Sequence, residues 1–516
     1  MILKRRYDGS RRACRSRSKS GSRGSQVRWV QRSSCLVLLP GLSLLVSACI
    51  TVGPDYVPPK PQVLARFAEV PASEDARSLQ PADDAWWKNF GDPVLENLLK
   101  QALESAPDIA EAQARVREAR ALSGFAGAGN FPIVDGVGSG TRNLGSENVP
   151  TGVPPGGLGP GVHSNFWQAG FDASWEIDVF GGVRRGIEAA QANYQAVTED
   201  RADVVLTLLA EAARDYVELR GAQRRIEVAR RDLAIEQDLQ TLTQSLLSAG
   251  LAPQQDVLRA QAQVAYIEAV IPALKSDERA AAYRIAALTG RSFPETVAAL
   301  SVPGPIPHAV SEVPVGLPSD LLQRRPDVRA AERRIAAANA RIGVAKADLY
   351  PHFSLTGVAG FESLNLSSFA SASSGYYQIG PGISWRIFDA GRIRFQVLAE
   401  SARTDAATTA YQKSVLDAFR DVETALVAYA DTQVRRDKLA AESAADGDAT
   451  RIAMLLYERG VESFLPVLDA ERALYAADDE LAQSERDTAL ALIALYKSLG
   501  GGWRAASAEV NAAGNR

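Results

Sequence analysis

The chain of 516 residues contains an internal duplication. At an offset of 210 residues, matched positions recur in a common order: Ser174-Trp175 with Ser384-Trp385, Gly181 with Gly391, Gly250 with Gly460, Val257-Leu258 with Val467-Leu468, and Gly290 with Gly500. Upstream the offset is 219, where Pro107-Asp108 matches Pro326-Asp327. The change in offset falls on the Pro/Gly-rich stretch 148–161, which is a loop by composition. A duplicated chain is expected to fold into two similar halves.

Each copy predicts the same order of elements: a helix, two strands joined by a polar loop, and a pair of long helices. The predicted first helices are 94–123 and 320–348, the first strands 133–141 and 352–360, the second strands 171–179 and 383–387, the long helices 183–248 and 392–458, and the return helices 254–288 and 463–499. The second strand alternates apolar and polar residues, so its two faces meet different surroundings. Such long helices are typical of coiled-coil packing.

Strands of this length suit a transmembrane β-barrel, but four per chain cannot close around water. An open four-stranded sheet would leave two unsatisfied edges in lipid. Three chains together would supply twelve strands, and the sequence therefore favours a trimer. The alternative from the residues alone is a soluble β-sandwich on a helical stalk, with the helices forming a rigid rod.

The first 48 residues read as a signal peptide. They carry eleven Lys or Arg and one acid, followed by the uncharged stretch 33–48. Small residues stand directly before Cys49, which resembles the lipobox of bacterial lipoproteins. The resemblance implies a diacylglycerol on the sulfur and an acyl group on the new amine of Cys49. Ile50, rather than Asp, follows the cysteine, which favours the outer membrane.

The rest of the chain offers no chemistry that we recognise. The whole chain carries −4 and the first 48 residues +10, so the remainder carries −14, which argues against nucleic-acid binding. The three cysteines end at Cys49, and the three histidines stand far apart without a metal-ligand neighbour. No nucleotide-binding or hydrolase motif occurs. We therefore expect no enzyme activity, no metal and no cofactor apart from the lipid on Cys49.

Several short motifs, spread over almost the whole chain after the signal peptide, point to one family. They are Cys49-Ile50-Thr51-Val52-Gly53-Pro54-Asp55-Tyr56, Trp86-Trp87, Arg325-Pro326-Asp327-Val328-Arg329-Ala330-Ala331-Glu332, Ala338-Asn339-Ala340-Arg341-Ile342-Gly343, and Tyr350-Pro351. With these motifs the sequence resembles the outer-membrane efflux proteins of the TolC type, and more closely the acylated, NodT-like drug-efflux group. The resemblance implies an α+β membrane channel: a trimeric twelve-stranded β-barrel in the outer membrane and a helical α-barrel reaching about 100 Å into the periplasm.

The same resemblance implies where function concentrates. The breaks between paired helices become the periplasmic aperture, and their tips become the docking surface for a membrane-fusion adaptor. The implied tip residues are Gly250, Leu251, Ala252, Gly460, Val461 and Glu462. The implied gate residues are Asp256, Tyr457, Arg459 and Asp469. Glu462 stands where the family has a basic residue and Pro466 replaces an acid, which leaves Arg459 and Arg472 as the basic candidates.

The predicted organisation is a signal peptide 1–48, a lipidated segment and equatorial wrap 49–93, a first repeat 94–290, an equatorial linker 291–319, a second repeat 320–500 and a tail 501–516. The implied function is a passive exit duct of a tripartite efflux pump. Its implied partners are two further copies of the chain, a periplasmic adaptor and an inner-membrane transporter of the resistance–nodulation–division class. The alternatives are a structural or adhesive outer-membrane lipoprotein, or the duct of a type I protein secretion system.

Overall fold

The computed structural model describes residues 51–61, 66–68, 84–148, 161–307 and 313–506. The chain divides into two units after Cys49, and every described residue belongs to the second, 50–516. The predicted signal peptide 1–48 and the acylation site Cys49 lie outside the described residues. Most of the Pro/Gly-rich stretch 148–161 also lies outside them.

Apart from three short 3-10 segments, the described part of the second unit contains nine α-helices and four β-strands. In chain order they are α1 (Pro93–Ser105), α2 (Pro107–Ala128), β1 (Ile133–Leu144), β2 (His163–Ile177), α3 (Gly182–Ser248), α4 (Gln254–Thr289), α5 (Phe293–Leu300), α6 (Pro318–Arg324), α7 (Pro326–Ala347), β3 (His352–Ser363), β4 (Gly375–Ser384), α8 (Arg392–Glu458) and α9 (Phe464–Ser498). Short 3-10 turns lie at Trp86–Phe90, Leu366–Ser368 and Ala372–Ser374. The long helices α3 and α8 have 67 residues each and begin 210 positions apart, which confirms the predicted duplication.

The first helix of each copy is split, although the sequence predicts one continuous helix. The breaks lie at Ala106 and Arg325, each of which has an extended ψ and directly precedes a proline. The ring of a following proline disfavours the helical conformation of the residue before it, and proline itself starts a new helix well. The matched pairs Pro107-Asp108 and Pro326-Asp327 therefore mark a bend that both copies share.

The four strands form one antiparallel sheet in the order β1-β2-β3-β4. The two copies meet at its centre, where Gly170 of β2 pairs with Gly360 of β3. The prediction that the last strand reaches Ile387 is wrong, because β4 ends at Ser384 opposite His352. The next residue on the partner side is Pro351, which has no N–H to offer a ladder. The edges of the sheet in one chain are β1 and β4.

The main hydrophobic core lies where α1 and the 3-10 turn at Trp86–Phe90 contact the middle of the long helices. The Trp86 ring stacks on Tyr496 of α9 at 5.4 Å between centroids. The Tyr216 hydroxyl on α3 donates to Asp92, which also caps the start of α1. Smaller clusters follow the helices outward to their tips. None of the helices among the described residues is both long and apolar enough to cross a membrane.

Candidate functional site at the helical tips

Both long helix pairs turn through the same five-residue connection. Gly250 and Gly460 have φ values of 76° and 68°, a conformation that residues with a side chain rarely adopt. The Gly250 N–H donates to Leu247 O, and the next N–H donates back to Leu246 O at 2.8 Å. The second tip repeats both bonds from Gly460 and Val461. This pair of backbone hydrogen bonds closes a helix end tightly. It explains why the glycine recurs after 210 residues.

The predicted tip residues form two exposed, partly apolar ends. Leu251 is 75% exposed and its counterpart Val461 is 67% exposed. Ala252 is half-buried, while Glu462 is exposed beside Val461. Each tip therefore presents one large apolar side chain to its surroundings.

The chain brings two of the predicted gate residues, Asp256 and Tyr457, close to each other. Tyr457, at the end of α8, packs its ring on Phe464 of α9 at 5.6 Å, within a cluster that includes Ala260 of α4. Asp256, in the first turn of α4, is buried and lies 3.7 Å from its own neighbour Arg259. Burial, and then the negative charge of Asp256, raise the pKa of the Tyr457 hydroxyl. The two tips of one chain are therefore electrostatically coupled.

The Tyr457 hydroxyl is buried and has no hydrogen-bond partner among the described residues of its own chain. A buried hydroxyl without a partner is costly, so such groups usually meet one. Within the described part of its own chain, the Tyr457 side chain is therefore left with an unmet hydrogen bond.

The other predicted gate residues lie apart from this pair. Arg459 and Asp469 are exposed, and neither forms an ion pair with another described residue. Arg472 points instead toward α4, where its Nε donates to Gln263 Oε1 at 2.9 Å. Pro466 is the third residue of α9, a position at which a helix needs no N–H donor. The arrangement offers no chemistry of its own, and within the described part of the chain no acidic, His or Cys group is placed to hold a metal ion.

Three carboxyl groups further along the helices are absent from the sequence-based predictions: Asp232 and Glu236 of α3 and Glu471 of α9. Their only signal in the sequence is the spacing of four between Asp232 and Glu236 on a predicted helix. That spacing places both side chains on one face, but the sequence does not tell which face is buried.

Comparison with known proteins gives the two copies an identity. A family model described as outer membrane efflux protein matches residues 98–291 and, separately, 317–501. The chain belongs to the outer membrane efflux protein family. The two matched ranges follow the two copies, and the resemblance read from the short motifs is confirmed.

Individual relatives agree over nearly their whole length. The pyoverdine export outer membrane protein OpmQ of Pseudomonas putida is 33% identical over 481 residues, 92% of this chain and 98% of the relative. The solvent efflux pump outer membrane protein SrpC of Pseudomonas putida is 32% identical, over 90% of this chain and 98% of the relative. The solved outer-membrane channel OprN is 36% identical, with a TM-score of 0.82 over 88% of this chain and all of that one.

Proposed function

We propose that this outer-membrane efflux protein is the exit duct of a tripartite pump, a trimer through which small molecules leave passively. The observation that carries the proposal is the four-stranded sheet with free edges at β1 and β4, joined to two 67-residue helices. Free edges lined by exposed apolar side chains are stabilised when identical chains pair along them. Three chains bring twelve strands, enough to close a barrel around water.

Relatives support the export role. OpmQ and SrpC are named for export of pyoverdine and for solvent efflux, and OprN is described as an outer-membrane channel. The matched glycine tips, with Leu251 and Val461 exposed, supply a surface for a periplasmic adaptor. An inner-membrane transporter of the resistance–nodulation–division class would supply the energy, and this chain would add no chemistry.

We further propose that Cys49 carries the lipid. The first described residues after it are held firmly in place. Arg185 of α3 donates to Val52 O at 3.3 Å and to Asp55 Oδ1 at 2.6 Å. From Val52 onward, the segment that follows Cys49 in sequence is thus hydrogen-bonded to the start of α3.

Single-channel recording tests the proposal directly. The purified full-length protein, added to a planar lipid bilayer, is expected to give discrete ion-conducting steps. A rod-like lipoprotein would give none, and that result would overturn the proposal. Passage of a small dye but not of an unfolded protein would favour drug efflux over type I protein secretion.

A matched pair of substitutions shows whether the sheet forms the conducting path. A Cβ at Gly170 would lie 2.5 Å from Ala359 O, whereas a Cβ at Gly357 meets nothing closer than 3.8 Å. Gly170→Ala is expected to lose conducting molecules because β2 can no longer pair closely with β3. Gly357→Ala is expected to conduct like the unaltered protein. An equal number of conducting channels from equal amounts of the two variants would contradict a path lined by this sheet.

A further inference from the structure

Three acids are buried between the long helices, away from the tips. Asp232, Glu236 and Glu471 are 6%, 0% and 3% exposed. We call these three residues the acid cluster. Asp232 and Glu236 lie on α3, and Glu471 reaches them from α9, the return helix of the second copy. Ionised carboxylates are almost never buried unless a cation or several donors compensate them.

The carboxyl oxygens of the acid cluster lack that compensation. Asp232 Oδ2, both oxygens of Glu236 and Glu471 Oε2 are buried and have no hydrogen-bond partner among the described residues. The Thr450 hydroxyl of α8 is buried and unpartnered as well. The antiparallel register set by Ser443 with Asp478 places Thr450 level with Glu471. Four unmet carboxyl oxygens and a hydroxyl thus occupy one stretch of the helical bundle.

The nearest cations are engaged elsewhere. Arg231 of α3 pairs with Asp478 of α9, and Arg472 of α9 donates to Gln263 of α4. Asp478 adds a further negative charge to the surroundings of Asp232. Tyr475 of α9 is a neutral neighbour, whose own pKa is raised mainly by burial.

Three uncharged side chains lie beside the residues that surround the cluster: Gln263 on α4, which accepts from Arg472, Ser443 on α8, which donates to Asp478, and Thr450 on α8, level with Glu471. Taken over all four helices, the surroundings favour neutral carboxyl groups over carboxylates.

Burial and mutual repulsion shift the titration of these groups toward neutral pH. Burial, then the charge of Glu471, raises the pKa of Asp232 to about 7. Burial, then the charges of Asp232 and Glu471, raises the pKa of Glu236 to about 8. Burial alone raises the pKa of Glu471.

We propose that the acid cluster is a proton-binding site that makes the contact of α3 with α9 sensitive to pH. While α3 and α9 are packed together, which we call the closed bundle, Asp232 holds its proton below about pH 7 and Glu236 below about pH 8. When the helices part, water reaches the groups and the protons leave. The device acts within one chain, so its failure would leave the export role untouched.

The sign follows from proton linkage. At a pH above the ordinary carboxyl pKa, the open state has lost the protons that the closed bundle still holds. The closed bundle is therefore most stable at acid pH. That stability falls as pH rises, and the fall ends once pH passes the closed-state value of Glu236, at about 8. Each carboxyl that titrates in this way is expected to raise the opening constant about tenfold per pH unit.

Hydrogen exchange of the assembled full-length protein, read by mass spectrometry, measures this opening. Peptides spanning 228–240 and 464–478 are compared between the unaltered protein and Glu236→Gln at each pH, so that the intrinsic pH dependence of exchange cancels. The opening constant of the unaltered protein, divided by that of Glu236→Gln, is expected to rise about tenfold per pH unit between pH 6 and pH 8. The amide variant is expected to respond less because it has one proton fewer to lose.

Glu227→Gln is the matched control, since Glu227 lies on the same helix, exposed, in a surface pair with Arg224. It is expected to follow the unaltered protein at every pH. Should Glu236→Gln fail to assemble, infrared difference spectra of the unaltered protein report the same protons. The carbonyl band of protonated carboxyl groups is then expected to decrease between pH 6 and pH 9. A ratio that does not change with pH, or the absence of that band at pH 6, would overturn the proposal.

Discussion

Tyr457→Phe removes one oxygen from the predicted gate and nothing else. The ring stays packed on Phe464, and the lost hydroxyl has no partner among the described residues of its own chain. Two outcomes therefore differ in sign. If a neighbouring copy supplies the partner in the closed trimer, the variant loses a real hydrogen bond. If no copy does, the variant sheds an unsatisfied buried group and becomes slightly more stable.

The size of the first outcome follows from the number of copies. One hydrogen bond contributes about 0.5–1.5 kcal/mol net. Three symmetric copies that open together would lose about 1.5–4.5 kcal/mol, which is about a 10- to 2,000-fold increase in the ratio of open to closed channels. Asp256→Ala, which removes the charge that Tyr457 feels, is expected to change that ratio in the same direction.

Single-channel recording of the purified trimer at low salt gives the open fraction, and hence the ratio of open to closed channels. Tyr266→Phe is the control, because Tyr266 on α4 is exposed and its hydroxyl is free to meet water. We expect Tyr457→Phe to raise the open fraction and Tyr266→Phe to leave it unchanged. Unchanged conductance of Tyr457→Phe, together with a higher melting temperature, would refute the placement of the gate at this residue.

Three further changes probe other parts of the chain. Gly343→Ala would bring a Cβ within 2.6 Å of Arg185 Cγ, so we expect a loss of about 1–3 kcal/mol in the free energy of unfolding, measured by thermal denaturation; an unchanged melting temperature would contradict this close approach. Deleting 149–160 is expected to leave the trimer intact on a native gel, because Gly161 N donates to Gly145 O and closes the base of the loop. Cys49→Ser is expected to abolish incorporation of labelled palmitate while trimer still forms; label retained on the variant would disprove the acylation site.

Much of the fold is readable because its boundaries depend on local chemistry. Glycines at 181, 250, 391 and 460 adopt positive φ and delimit the long helices, so α8 begins and ends where the sequence predicts. The split of the first helices is also predictable from local chemistry, since Pro107 and Pro326 disfavour a helical conformation of the residue before them. The end of β4 could not be predicted in this way, because it is set by Pro351, the residue that precedes the neighbouring strand β3.

The site is less readable, since its properties arise between elements distant in sequence. The coupling of Asp256 to Tyr457 joins positions about 200 residues apart, and a family resemblance rather than any spacing suggested it. The acid cluster was missed for a related reason. An Asp and a Glu four residues apart on a helix normally indicate a solvated face, whereas here packing against other helices, α9 among them, buries both.

Equal length of α3 and α8, at 67 residues each, has a consequence for how such a chain tolerates insertions. One extra residue in a helix advances its end by about 1.5 Å and rotates it by about 100°. Placed in α3 alone, it would turn Gly250 and Leu251 away from the direction in which Gly460 and Val461 point. Seven residues make almost two full turns, so a matched insertion of seven in all four helices would move both tips outward by about 10 Å with little rotation. Channels of this plan are thus free to change their reach only in such steps, and only in both copies at once.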